Sequence, residues 1–412
     1  MNKNSVFCLV FRKINLKKAR WITTFLLFSY IPFFISKLFA YIFFYFSKEK
    51  QLKKINIVKK GIYKTNRNLI NLDFNGAIGD VIILSRFLKI LDDTGTKNVD
   101  ILCPNKFKEY FQKLQFKNLN FIFFDIKTSH YYQDTYNNID NLLKSVKNEI
   151  NELPEYNNFF SFGRQFILSV NLYSLFLKYN KLTIFEILPK FVIIDRIPLL
   201  SKSAVVFMSK ITSISMACFN IINKKKYNIN FFGNKNECKN LFMADFAYYA
   251  YFQQLPKQSL SSLEFSKYFK PIKNNSKSLI IMVDDARQGK RLKVDSLIKF
   301  INENFVNYKV TFVGDGPKFI EELINKKNQC KFTIINKVNK TKTLMDLINE
   351  VNKNKNVLAY DTSILHIAMI LNKKTKFIAN KKNDTYVKGK MYWHGYKNDN
   401  LEVVEMDTVD FY

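Results

Sequence analysis

The chain opens with one long apolar run and then settles into two blocks where short apolar strands alternate with helical spacing. The run Trp21 to Phe46 (WITTFLLFSYIPFFISKLFAYIFFYF) is long enough to cross a bilayer as a helix. Pro32 interrupts it, and Lys37 places a charge in its second half. Lysines and arginines flank both ends, so the distribution of positive charge sets no orientation. No small-residue cleavage site follows, which argues against a removed signal peptide. Three placements stand: helices lying in the headgroup region, a true span, and a buried helix of the fold. The first is the expectation, because interfacial helices tolerate Pro32 and let lysines reach phosphates.

In the first block, Leu69–Phe74 reads as a strand, Asn75–Gly79 as a glycine-bearing turn, and a helix follows from near Asp80. Val81, Leu84, Leu88 and Leu91 recur at helical spacing there. Val99–Leu102, Leu119–Ile126 and Phe159–Phe162 read as further strands, with a helix over Lys106–Leu114. Residues 197–260 give no clean pattern. Ala204–Ile222 within them is apolar but broken by Lys210, and reads as buried helix or loop.

The second block is sharper. Ser278–Val283, Tyr308–Val313, Lys331–Ile335, Val357–Tyr360 and Thr375–Ala379 read as strands. Val294–Asn304, Lys318–Lys326, Thr343–Asn352 and Thr362–Leu371 read as the helices between them. Strict alternation of this kind implies a parallel sheet covered on both faces. The expected organisation is a membrane-associating segment over 1–60, an α/β domain over 61–269, a polar linker over 270–277 and a second α/β domain over 278–412. Ligands of such sheets bind beyond the carboxyl ends of the strands, in a cleft.

Composition changes the picture in two places. The hydrophobic fraction of 47% over 412 residues is enough for two cores. The net charge of +31 is uneven: residues 1–60 hold thirteen Lys or Arg against one acid, Glu49. Beside an apolar run, that excess points to an anionic membrane face. Elsewhere the lysines also fit a plain compositional bias. No helix-turn-helix, zinc module or stacking motif accompanies the charge, so nucleic acid is not the expected partner. The five cysteines form no C-x-x-C pair and the histidines number three, so no zinc site is expected and the thiols fit a reducing compartment.

Four short stretches carry candidate chemistry. Asn75-Gly76-Ala77-Ile78-Gly79-Asp80 follows a strand and opens a helix. Its glycines allow close approach of another molecule, and Asp80 is placed either as a proton acceptor or as a helix cap. Tyr360-Asp361-Thr362-Ser363 runs into a helix bearing His366. Helix N–H groups and the Thr362 hydroxyl can hold a phosphate there, with His366 one turn on; a capping Asp361 and a core histidine are the alternative. Gln288-Gly289-Lys290-Arg291 offers two cations for a departing diphosphate, or a solvated basic loop. Val313-Gly314-Asp315-Gly316 borders a nucleoside pocket or is a plain turn.

Taken together in this order, the four stretches resemble glycosyltransferase family 9, the heptosyltransferases of the lipopolysaccharide inner core. Gly76, Gly79, Asp80 and Val81 match its G-x-x-G-D-V turn. Lys290–Lys293 echo its K-x-W-P loop, Val313–Gly316 its glycine loop, and Asp361, Thr362, His366 and Ala368 its D-T-G-x-x-H helix. Ser363 stands where the family has glycine, and Leu292-Lys293 where it has Trp-Pro. The resemblance implies a GT-B fold of two Rossmann-like domains facing a cleft, here with an N-terminal membrane anchor.

It further implies an inverting, metal-independent transfer of a heptose-like sugar from a nucleotide-diphosphate donor, ADP-heptose in the family. The acceptor is expected to be a lipid-linked glycan at the cytoplasmic face of a bacterial inner membrane. Asp80 would be the general base, with Gly76 and Gly79 on the acceptor side. Lys290, Arg291, Gly314, Asp361, Thr362, Ser363 and His366 would hold the donor. No D-x-D follows a strand, and no cofactor is expected. A catalytically silent relative and an enzyme using another nucleotide sugar are the competing readings.

Overall fold

A computed structural model describes residues 63–72, 78–125, 148–150, 152–162, 177–185, 229–232, 241–270, 272, 275–284, 291–381, 396 and 398–412. The apolar run at 21–46, Gly76, Lys290 and the stretch Ala204–Ile222 lie outside these residues. No helix among the described residues is long and apolar enough to cross a membrane.

The first sheet contains β1 (Asn68–Asn71), β2 (Val99–Pro104), β3 (Leu119–Phe124), β4 (Tyr156–Phe162), β5 (Tyr179–Phe185) and β6 (Ile229–Phe232). Helix α1 (Ile78–Asp93) joins β1 to β2, and α2 (Lys108–Lys113) joins β2 to β3. The hydrogen-bonded order is β3-β2-β1-β4-β5-β6. A further helix, α3 (Met243–Phe252), precedes the second sheet.

That sheet holds β7 (Asn275–Asp284), β8 (Lys309–Asp315), β9 (Thr333–Asn336), β10 (Asn354–Ala359), β11 (Lys374–Asn380) and β12 (Leu401–Met406). Between them lie α4 (Val294–Asn304), α5 (Pro317–Asn325), α6 (Leu344–Asn352) and α7 (Ser363–Ile370). Its order is β12-β11-β10-β7-β8-β9, with every neighbouring pair parallel. Counted from its own first strand, each sheet therefore runs 3-2-1-4-5-6, the doubly wound order whose direction reverses between strands 1 and 4. In sheets of this order, ligands bind beyond the carboxyl ends of the strands at the reversal, which in the second sheet are β7 and β10.

Local sequence explains these elements. The strands β7, β8 and β10 are buried on both faces, and their apolar runs are continuous rather than alternating. Helices α4 and α5 bury one stripe, Leu297, Ile298 and Ile301 in one and Phe319, Ile320 and Leu323 in the other. Pro317 starts α5 at the position where its fixed φ and missing N–H cost nothing. Helices α1 and α7 differ, since residues on nearly every side of both are buried.

The structure has strands that the sequence pattern did not reveal: β5, β6 and β12. In β5 the polar Asn180 and Lys181 break the apolar run, while Thr183 is buried and donates to Asn158 Oδ1 at 3.0 Å. Edge strand β12 exposes Glu402 and Glu405, and Lys376 of β11 pairs with Glu402 at 2.6 Å.

Contacts along the chain group into two compact units, one of Met1–Leu69 with Ile126–Phe231, the other of Ile70–Asp125 with Phe232–Tyr412. The second unit contains α1, α3 and the whole second sheet.

Candidate active site

The two motifs with the most chemistry meet inside that second unit. Strand β1 leads into α1, whose first turn holds Gly79 and Asp80. Strand β10 leads through Tyr360 and Asp361 to Thr362, the N-cap of α7. Both helices therefore start at the carboxyl ends of the strands that flank a sheet reversal. Helix α7 packs directly on α1, and Gly79 lies in that contact against His366. A Cβ at that position would stand 2.5 Å from His366 Cδ2 and 2.9 Å from its Nε2. Glycine is required there because an imidazole occupies the place of its side chain.

Asp80 lies in the first turn of α1, half-buried, next in sequence to this contact. It lies inside the helix rather than ahead of its first residue. A carboxylate in a first turn is stabilised by the positive end of the helix.

At α7, Asp361 is half-buried and is not the cap; Thr362 is. The Thr362 N–H donates to Tyr360 O at 2.7 Å, forming the tight turn that ends the strand. Its hydroxyl is buried, with the residue 8% exposed, and makes no hydrogen bond. A buried hydroxyl without a partner costs on the order of 1–3 kcal/mol, so a ligand oxygen at this helix mouth would relieve it. Ser363 directs its hydroxyl to Met282 Sδ at 3.5 Å, against β7.

His366 is 3% exposed, and its Nδ1 lies 2.7 Å from the Tyr396 hydroxyl. Tyr396 in turn packs against Phe242 at 5.2 Å and lies under the guanidinium of Arg86, 5.0 Å from its ring centroid. Neither Tyr396 nor Arg86 was singled out by the sequence. The signal for Arg86 was present: one arginine inside the otherwise apolar stretch VIILS-R-FL. Nothing local marked Tyr396.

The other candidate residues are more dispersed. Gly314, one residue before the end of β8, has φ +105°, and any Cβ there would collide with the Val283 carbonyl of β7. Gly316 is nearly as tight, with a Cβ 3.1 Å from the Val283 carbonyl carbon. These glycines let the β8 loop lie flat on the end of β7. Arg291 is buried, its guanidinium held between Phe319 (4.8 Å) and Tyr412 (4.6 Å). The neighbouring backbone secures the C-terminal tail, through the Leu292–Phe411 bridge and Tyr412 N–H donating to Arg291 O. Arg291 is thus anchored in packing between two aromatic rings. Among the described residues no cluster of His, Cys, Asp and Glu is arranged to hold a metal ion.

No protein-family model and no curated protein matches the chain. Solved structures do. A glycosyl transferase family 9 structure from Veillonella parvula shares 13% identity at a TM-score of 0.53, covering 85% of this chain and 88% of its own. An E. coli heptosyltransferase with ADP-2-deoxy-2-fluoro heptose gives 10% identity and a TM-score of 0.49, over 82% of this chain and 92% of its own. An E. coli ADP-heptose lipopolysaccharide heptosyltransferase II gives 12% and 0.49, over 82% and 90%. At these identities the likeness speaks to the fold, and it rests on the Veillonella structure: the chain has the two-sheet α/β fold seen in a family 9 glycosyl transferase.

Proposed function

We propose that the chain is a glycosyltransferase of the heptosyltransferase kind, moving a sugar from a nucleotide-diphosphate donor to a lipid-linked saccharide. The observation that carries this reading is the contact of Gly79 with His366, which brings the G-x-x-G-D turn beside the D-T-x-x-x-H helix. A proton acceptor, Asp80, and an open helix mouth with an unused hydroxyl, Thr362, then belong to neighbouring elements. The fold shared with a family 9 glycosyl transferase agrees with it.

In the proposed reaction the Asp80 carboxylate takes the proton of an acceptor hydroxyl. The freed oxygen attacks the anomeric carbon, and the bond from that carbon to the diphosphate oxygen breaks. The configuration inverts, and the nucleoside diphosphate leaves with the negative charge. Thr362, the first N–H groups of α7 and Lys290 would stabilise that charge, and this provision supports metal independence. Gly76 and Gly314 would border the acceptor and nucleoside sides, while Asp361 and Ser363 shape the α7 turn. The basic apolar segment at 1–60 would hold the enzyme on the inner membrane's cytoplasmic face, raising its effective concentration near a lipid-linked acceptor.

Thermal-shift binding of ADP, UDP, GDP and CMP to the detergent-solubilised chain tests the donor side. Stabilisation by one nucleotide, lost in Thr362→Ala and Lys290→Ala, is expected. No shift with any of them in a folded protein would favour the silent relative. Activity lost in EDTA and restored by magnesium would contradict metal independence.

A further inference from the structure

We infer that Tyr396 and Arg86 are positioning residues that fix one tautomer of His366, with the proton on Nε2 at the edge facing the first turn of α1. The kinetic half of this inference rests on the transferase reading above. The tautomer half does not.

The imidazole is confined on both edges. Its Nε2 and Cδ2 side occupies the space left by Gly79, and its Nδ1 is 2.7 Å from the Tyr396 hydroxyl. In a neutral imidazole, the hydrogen bond at one nitrogen decides which nitrogen carries the proton. Two arrangements satisfy the Nδ1 contact: Tyr396 donates, or Nδ1–H donates to Tyr396.

Arg86 discriminates between them. Its side chain is fully buried, with Nε donating to Leu263 O at 2.7 Å. Neither Nη atom has a hydrogen-bond partner, and among the described residues no carboxylate pairs with this cation. The positive charge is held instead by aromatic faces, Tyr396 at 5.0 Å and Phe242 at 5.9 Å. Without a carboxylate partner among the described residues and shielded from water, it acts on the phenol whose ring it covers, Tyr396. A cation over the ring draws electron density from the oxygen, which makes the O–H a stronger donor and the oxygen a weaker acceptor. Tyr396 therefore donates to Nδ1, and the His366 proton resides on Nε2.

The result is an N–H donor fixed beside Gly79, adjacent in sequence to Asp80. A rotating or mixed-tautomer imidazole would present a lone pair at that place for part of the time. A buried arginine without a salt bridge is costly as a purely structural choice. Setting the polarity of the Tyr396–His366 pair gives the charge a use.

The test is histidine-selective 15N NMR of the full chain. It contains three histidines, so His366→Gln assigns the His366 signals by subtraction. In neutral buffer the wild type should show the protonated nitrogen at Nε2 and the acceptor at Nδ1. Tyr396→Phe keeps the ring under Arg86 and removes only the hydroxyl; it should give a mixture of tautomers. Arg86→Lys should retain the Nε2 proton and Arg86→Met should move population toward Nδ1. Should Arg86→Met fail to fold, Tyr396→Phe decides. In turnover, Tyr396→Phe should lower kcat about tenfold with KM changed less than about twofold. A wild-type proton on Nδ1, or imidazole signals unchanged by Tyr396→Phe, would overturn the inference. So would a tautomer change with unchanged kcat. A chain inactive with every nucleotide sugar but showing the expected signals would overturn the transferase reading and leave the positioning roles standing.

Discussion

Helices α6 and α7 follow one another in the second sheet, and each has threonine at its N-cap, yet the two threonines behave oppositely. Thr343 completes a reciprocal cap: its hydroxyl accepts from Asp346 N–H at 3.1 Å, and the Asp346 carboxylate accepts from Thr343 N–H at 2.9 Å. Thr362 sits in a similar extended conformation, but its hydroxyl binds nothing. The exposed end is satisfied internally and the buried end is not. Stability alone predicts the reverse, because an unmet polar group costs more when buried. The difference marks α6 as an end finished by folding and leaves α7 with a hydroxyl the fold does not use, which agrees with the phosphate contact proposed there.

The largest expected effects come from forcing atoms into places that the neighbouring elements leave only to glycine. Gly314→Ala places a methyl against the Val283 carbonyl at a backbone angle that disfavours any side chain, and should cost roughly 3 kcal/mol or more. Gly79→Ala drives a methyl into His366 and should cost about 2 kcal/mol. Denaturant unfolding measures both. Adding His366→Ala to Gly79→Ala should recover part of the second loss, since the clash is with that ring alone. Strictly additive losses would mean that the α1–α7 contact is looser than its geometry states. The α6 end should not respond to either substitution.

Next comes the threonine pair itself. Thr362→Val removes a hydroxyl that makes no bond, so unfolding stability should stay within about 0.5 kcal/mol or rise. Nucleotide affinity should fall by roughly ten- to hundredfold, the worth of one hydrogen bond to a charged phosphate. Thr343→Val should do the opposite, costing about 1 kcal/mol of stability with nucleotide binding unchanged. Calorimetric binding and urea unfolding on the same two variants give the four values. Equal stability losses would erase the contrast.

Much of this arrangement was legible in the sequence. In the second block all the strands but β12 and all four helices were found, α4 at the same bounds and the others within about three residues, because buried parallel strands and one-sided helices leave separate periodic signatures. The G-x-x-G-D turn and the D-T-x-x-x-H helix start were found because each punctuates a change of period. Their meeting was not legible. It depends on an imidazole filling the space beside Gly79, a tertiary fact that no local spacing encodes. Tyr396 is invisible for the same reason: it reaches His366 from thirty residues away in sequence. Arg291 shows the converse, since a basic loop suggests solvent or phosphate while the structure buries its guanidinium between Phe319 and Tyr412. Strands β5 and β12 were hidden by polar residues whose partners lie on neighbouring strands.

The smallest expected effect separates the two helix ends by pH. Hydrogen bonds from the Thr343 backbone N–H and hydroxyl region, with a further one from Lys342 N–H, hold the Asp346 carboxyl below the usual carboxylate range despite some opposing desolvation. A depressed folded-state value means that this cap contributes fully above the ordinary aspartate range, near pH 4. Its contribution is lost as the pH falls through the lower, folded value, because the protonated acid no longer accepts as an anion. Glu350, further along α6, moves in the same direction: burial pushes its value up, and the bonds from Lys337 and Lys353, both at 2.7 Å, outweigh it. Both groups therefore favour the folded state at neutral pH and release that support in acid. Asp346 is exposed, so solvent screens its share, and Asp346→Asn should flatten the acid limb of the stability curve only slightly. Thr362→Val should leave that limb unchanged, since no titrating group depends on its hydroxyl. Amide protection factors at Leu344–Leu347 would locate the effect: acid should lower protection there in the wild type and less so in Asp346→Asn. An acid response confined to the α7 end would reverse the assignment of which helix start is closed by its own side chains and which is left open.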